Sequence, residues 1–147
     1  MERFNNNQLV ANDFDSGPAP CTMNIRQMTI KNPNYRTALW TGHFLQLTVM
    51  SIPVGGDIGL EVHPDTDQFL RIESGSGKAV MGPDHNNLTF QCFVSGGDAI
   101  FVPAGTWHNL INSSNRPLKL YTVYAPPHHP HGAVHVTKQQ AEMEENH

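Results

Sequence analysis

The sequence predicts an all-β protein, a sandwich or barrel of short strands, on three observations. Turn formers are abundant, with 12 Gly and 11 Pro. Charged residues make up only 15%, which argues against a helix bundle or coiled coil rich in Ala, Glu, Lys and Leu. Between about Trp40 and Tyr124, runs of β-branched and aromatic residues alternate with turn signals, and no long helical period interrupts them.

The elements follow in order. Residues 1–35 read as an N-terminal arm. Asn5-Asn6-Asn7 and Ser16-Gly17-Pro18-Ala19-Pro20 are polar or turn-rich, and Asn24 to Ile30 alternates like an edge strand, pairing with the barrel or with another subunit. A barrel is expected over 36–126. Its first strand, His43 to Ile52, stops at Pro53 and Gly55-Gly56-Asp57. Gly59 to His63 and Gln68 to Glu73 come next, then the turn Ser74-Gly75-Ser76-Gly77. Lys78 to Met81, Leu88 to Val94, Ala99 to Val102, Trp107 to Ile111 and Leu118 to Tyr124 complete about eight strands in roughly eighty residues. Gly-Gly-Asp precedes a strand both at Gly55 and at Gly96, as two similar halves of a double Greek-key jelly roll would have it. Residues 127–147 form a His-rich tail with one short helix, Thr137 to Glu145. Thr137 is its expected N-cap, and Gln140, three residues on, closes a capping box.

At 147 residues the chain suits one domain. The 9 basic and 13 acidic residues give a net charge of −4. With no basic run, nucleic acid and anionic membranes are not expected partners. No apolar run approaches the ~20 residues of a membrane span, and the first residues lack the basic and apolar regions of a secretion signal. A cytoplasmic protein is the expectation. Cys21 and Cys92 make no disulfide framework and read as free thiols.

The chemistry concentrates in two stretches. In Gly97-x5-Pro103-x-Gly105-x2-His108-x3-Asn112, Pro103 and Gly105 make a tight turn, and His108, Leu110 and Asn112 share one face of the next strand. In the other stretch, Glu61 and His63 are two apart and share a face. Pro64-Asp65-Thr66-Asp67 turns the chain, and Gln68, Leu70 and Ile72 share a face on the return. With Leu70 and Ile72 inside, Gln68 is inside too. Glu61, His63 and Gln68 can then converge with His108. Two imidazoles, one carboxylate and one amide oxygen suit a divalent transition metal, and an inward Glu61 demands a cation or a strong partner.

These residues resemble the cupin superfamily. Gly97, Pro103, Gly105, His108 and Asn112 match every fixed position of its second motif. The first motif falls on Gly55, Glu61, His63, Gln68 and Gly75, with Glu61 in place of the first His and Gln68 in place of the usual Glu. The resemblance spans about residues 43–124. It implies a double-stranded β-helix (jelly-roll) barrel, one divalent metal (Zn, Fe, Mn or Ni) held by Glu61, His63, Gln68 and His108, and a homodimer. Gly59-Leu60-Glu61-Val62-His63-Pro64 and Tyr124-Ala125-Pro126-Pro127 are similar to small cupins of the mannose-6-phosphate-isomerase-like kind. A small polar ligand such as a sugar and isomerase-like chemistry are thereby implied. A metal-dependent dioxygenase and a non-catalytic ligand-binding cupin are the alternatives.

Other residues carry plainer expectations. His43 reads as a surface residue. Gln46, Met50, Phe101, Trp107 and Tyr121 read as cavity lining or core, and Asp65 and Asp67 as turn residues. His128-His129-Pro130-His131 has the composition of a metal-binding tract, but its Pro and lack of flanking structure make it read as a solvated loop.

Overall fold

Alternation along the chain sets the layers. In β8 (Leu118–Ala125), Leu118, Leu120, Thr122 and Tyr124 are buried while the residues between them reach the surface, the period-2 pattern of a strand with one face on the core. The structure is a computed structural model and describes residues 14–145. A six-stranded antiparallel sheet contains β6 (Ala99–Val102), β3 (Asp67–Ser74), β8, β2 (Gln46–Ile52), β1 (Arg36–Thr41) and β9 (Val134–His135), in that order. A three-stranded sheet contains β5 (Phe90–Ser95), β4 (Ser76–Gly82) and β7 (Trp107–Asn112), in that order. Leu70, Ile72, Leu120, Met50 and Ile52 of the first sheet meet Ala79, Met81 and Leu110 of the second in one apolar core. The jelly-roll expectation is met.

Asn112, at the end of β7, is buried and acts as a structural tie. Its Nδ2 donates to the carbonyls of Ile52 at 3.0 Å and Arg116 at 2.9 Å, and its Oδ1 accepts from the Ser114 N–H at 2.8 Å. One amide thus joins the end of β2 to the loop that follows β7.

Three expectations are corrected. The segment read as an edge strand, Asn24 to Ile30, forms a helix instead, α1 (Ile25–Lys31). The Asn24 side chain accepts from the Gln27 N–H at 2.9 Å, an N-cap that favours helix over strand. Ile25 and Met28, three apart, then pack on Leu39, Leu47 and Val49, which covers the outer face of the larger sheet and explains why both faces of β2 are buried. Gly59 to His63 is not a strand but holds one isolated bridge, Glu61 to His108, with a second just before it, Asp57 to Ile111. Gly59, at φ +97°, breaks the extended run there. The tract His128-His129-Pro130-His131 is only in part a solvated loop: His128, Pro130 and His131 are exposed, but His129 is buried. Asn5-Asn6-Asn7 lies outside the described residues. The C-terminal helix, α2 (Lys138–Glu145), starts as expected: Thr137 Oγ1 accepts from the Gln140 N–H at 3.1 Å, and Gln140 Oε1 accepts from the Val136 N–H at 2.7 Å. Among the described residues no helix is long and apolar enough to cross a membrane.

Replacing Asn112 with Ala removes the side-chain donor to the buried Ile52 carbonyl and the acceptor of the Ser114 N–H. Asn112→Ala should lower unfolding stability by about 2–3 kcal/mol in urea denaturation; a change under about 0.5 kcal/mol would show that the tie holds nothing.

Candidate metal centre

Backbone pairing brings the two motif stretches together. The Glu61 N–H donates to the His108 carbonyl at 3.1 Å, and the His108 N–H donates to the Glu61 carbonyl at 2.9 Å. Residues that exchange both bonds lie directly opposite each other and send their side chains to one face. Two further bonds lock the same junction. The Gly105 N–H donates to the His63 carbonyl at 2.9 Å, and the Ala104 N–H donates to Asp67 Oδ1 at 2.9 Å. The turn needs glycine at 105, where φ is +82°. Asp67, expected as a turn residue, instead opens β3, and its side chain secures the turn of the other motif.

The side chains then converge. His63 and His108 are buried, and their ring centroids lie 5.2 Å apart. Glu61 Oε1 is 3.3 Å from His63 Nε2, without the geometry of a hydrogen bond. Gln68 is buried on the inner face of β3, opposite Tyr124, whose ring touches that of His63 at 5.9 Å. Three of the four expected donors have no hydrogen-bond partner although they are buried: His63 Nε2, Gln68 Oε1 and His108 Nε2. Two of them, on His108 and Gln68, are aimed by a bond on the far side. The carbonyl of Thr106 lies 3.0 Å from His108 Nδ1; a carbonyl can only accept, so the proton sits on Nδ1 and leaves a lone pair on Nε2. Gln68 Nε2 donates to Thr122 Oγ1 at 3.2 Å, which leaves Oε1 as the exposed end of the amide. Partners of this kind are what orient metal ligands.

The tightest group of donors differs from the expected four. Glu61, His63 and His128 place one donor atom each within 4.8 Å of one another, an arrangement that could hold a metal ion. His128, read from the sequence as part of a solvated loop, packs its ring 4.1 Å from that of His63. The cause is Gln46, fully buried in β2. Its Oε1 accepts from the N–H groups of both His128 (3.1 Å) and His129 (2.9 Å), and its Nε2 donates to the His129 carbonyl at 2.8 Å. The chain leaving β8 is thereby folded back over the donors. The concentration of histidines after Pro126 was the one sequence signal for this. Of the other candidates, Met50 lies in the core and Tyr121 packs with the cluster under α1, while Phe101 points outward from β6.

Electrostatics favour neutral, lone-pair-bearing imidazoles. Burial lowers the pKa of His63 from 6.5 to about 3, helped by His128, His108 and Arg36. Burial likewise lowers those of His108 and His129. A cavity of about 570 Å³ lies apart from where these donors meet. It is an apolar cleft along β4, β5 and β6 whose walls include Met81, Ile100 and Thr106. Met81 is the register partner of His108, so the cleft adjoins the cluster from one side. A smaller cavity of about 100 Å³ reaches Glu61 itself.

Comparisons with known proteins agree with this geometry. A family model described as a cupin domain matches residues 48–124. The chain is 57% identical over 127 residues to the uncharacterized protein YrkC of Bacillus subtilis, covering 86% of this chain and 68% of that protein. It is 44% identical over 120 residues to the uncharacterized protein L612 of Acanthamoeba polyphaga mimivirus, covering 81% of this chain and 73% of the other. The crystal structure of BH2720 from Bacillus halodurans superposes with a TM-score of 0.88 at 57% identity, covering 88% of this chain and 98% of that one. KdgF from Halomonas, at 16% identity and a TM-score of 0.56 over 63% of this chain and 80% of its own, shares the fold alone.

The buried histidines have a consequence for acid stability. The unfolded chain takes up protons on them below about pH 6.5, whereas folded His63 refuses them until about pH 3. Their contribution is therefore full above pH 6.5 and is lost as pH falls toward 3. Urea midpoints of the metal-free protein should drop between about pH 7 and pH 5, while the imidazole NMR signals of folded His63 stay unchanged. Titration of that ring in this range would contradict the assignment.

Proposed function

The chain belongs to the cupin domain family, and from that premise we propose that it holds one divalent transition metal with Glu61, His63 and His108, joined by Gln68 and His128, and uses it to bind a small polar ligand. The observation that carries this reading is the set of buried donor atoms, His63 Nε2, Gln68 Oε1 and His108 Nε2, that have no hydrogen-bond partner. A buried acceptor without a donor is costly, and a cation beside Glu61 removes that cost for all three. Imidazole nitrogens suit Zn, Fe, Mn or Ni, and the one carboxylate offsets part of the charge. Such an ion, when bound, supplies Lewis acidity toward a carbonyl or hydroxyl oxygen.

The chain's own residues do the rest. Thr106 and Thr122 hold His108 and Gln68 in the orientation a ligand atom needs, and Gln46 brings His128 across the opening. Met81 and Leu110 keep one side of the cluster apolar and dry. The likeness to mannose-6-phosphate-isomerase-like cupins supports a sugar as the ligand and isomerisation as the reaction. A second reading has its own observation: Glu61, His63 and His128 form a two-histidine, one-carboxylate set, the donor pattern of non-heme iron oxygenases. Metal identity separates the two, iron favouring the dioxygenase.

Elemental analysis of freshly purified protein should find about one metal per chain. Alanine at both His63 and His108 should weaken metal binding more than about a hundredfold. Protein that carries no metal, or a double variant that keeps it, would end this reading.

Self-association is part of the same proposal. Phe90 and Phe93 on edge strand β5 and Phe101 on edge strand β6 are all more than half exposed, which supports a homodimer built on a sheet edge. Light scattering should report twice the chain mass, and Phe93→Glu with Phe101→Glu should return it to the monomer.

A further inference from the structure

Arg36, the first residue of β1, is 2% exposed. One guanidinium nitrogen, Nη1, lies 3.1 Å from His135 Nδ1, and Nε has no hydrogen-bond partner. Among the described residues Arg36 makes no ion pair with a carboxylate. A buried guanidinium in that condition is strongly disfavoured unless an anion joins it.

The guanidinium lies over the Tyr35 ring at 5.2 Å and hydrogen-bonds the hydroxyl of Tyr124, whose ring is beside His63, so its partners are neutral and place it next to the donor cluster. Tyr35, Arg36, Ile58, Glu61, Lys138 and Glu142 border the cavity of about 100 Å³, and the charge of Arg36 acts on His63 and His129. The nearby charges do not neutralise it. Lys138 is taken by Asp57 and Glu142. Glu144 is bonded to His135 and so reaches Arg36 only through that imidazole. Glu61 sits at the metal cluster. A divalent metal and the guanidinium together outweigh Glu61 by about two formal charges. That surplus selects an anion over a neutral polyol.

We propose that Arg36 anchors the carboxylate of a small hydroxy-acid ligand whose remaining oxygens face the metal cluster, an assignment that rests on the metal-binding reading above. The cavity holds a volume on the order of three waters, which suits a carboxylate group. A planar guanidinium edge suits a planar carboxylate better than a point charge does. The neutral sugar of the family likeness is replaced by an acid.

The test uses the full chain reconstituted with Co²⁺, with one metal per chain verified by elemental analysis. Glycolate and its neutral counterpart glycolamide are titrated by calorimetry and by the cobalt absorption spectrum. Glycolate should bind at least about tenfold tighter. Arg36→Gln should abolish the preference at unchanged metal content, and Arg36→Lys should restore part of it. A crystal structure of the wild-type glycolate complex, which needs no variant to fold, should place the carboxylate on Arg36 Nε. Equal binding of the two probes, a preference that survives Arg36→Gln, or a carboxylate bound away from Arg36 would each overturn the assignment while leaving the metal in place. A chain that takes up no Co²⁺ fails earlier, and the anion site falls together with the metal reading.

Discussion

The reciprocal hydrogen bonds between Glu61 and His108 are the constraint on which the rest of the structure depends. They extend to Glu61 the backbone pairing by which the chain between β2 and β3 follows β7, begun at Gly56 with Asn112 and at Ile58 with Leu110. Without them, Glu61 and His63 lie on a loop with no regular strand to aim them. With them, both point at the face of β7 that carries His108, Leu110 and Asn112. Asn112 fastens the far end of the same strand, so β7 is pinned at both ends and His108 has little freedom to turn away.

Orientation beyond the backbone comes from small polar groups that occupy one end of a donor side chain. The Thr106 carbonyl takes the Nδ1 proton of His108, and Thr122 takes the amide hydrogen of Gln68. In each case the opposite end is left bare inside the protein. Elsewhere in the barrel, buried polar groups such as Gln46 and Asn112 use both ends of their amides. The contrast is physical: where the protein closes its own hydrogen bonds the residue is structural, and where it leaves one end open the residue awaits something else.

This contrast explains what was legible in the sequence. The strands from β3 to β8 and their turns were readable because alternation and glycine placement are local. Glu61, His63, Gln68 and His108 were readable as a group because strand parity fixes which residues share a face. His128 was not, because its placement depends on Gln46, some eighty residues away in β2, and a histidine run beside prolines looks like loop. Nor was α1. Its short alternating stretch satisfies both strand and helix periods, and the choice was made by Asn24 as N-cap and by the exposed apolar face of β1 and β2 that needed covering. Arg36 was invisible for the same reason: nothing local marks a buried charge.

The tail after β8 therefore belongs to the site and is not an appendage to it. It does three things in sequence. Gln46 turns it back so that His128 meets His63. Its next histidine, His129, is buried against Tyr124. It then pairs as β9 with β1 and continues into α2, whose Ala141 enters the main core and whose Lys138 closes the cavity beside Arg36 and Glu61. A barrel alone would leave that end of the donor cluster open to water. The tail converts it into a small, partly covered space with a buried cation on one wall and a carboxylate on another, and the lowered access of water is what makes charge, more than shape, the strongest discriminator among ligands that reach it.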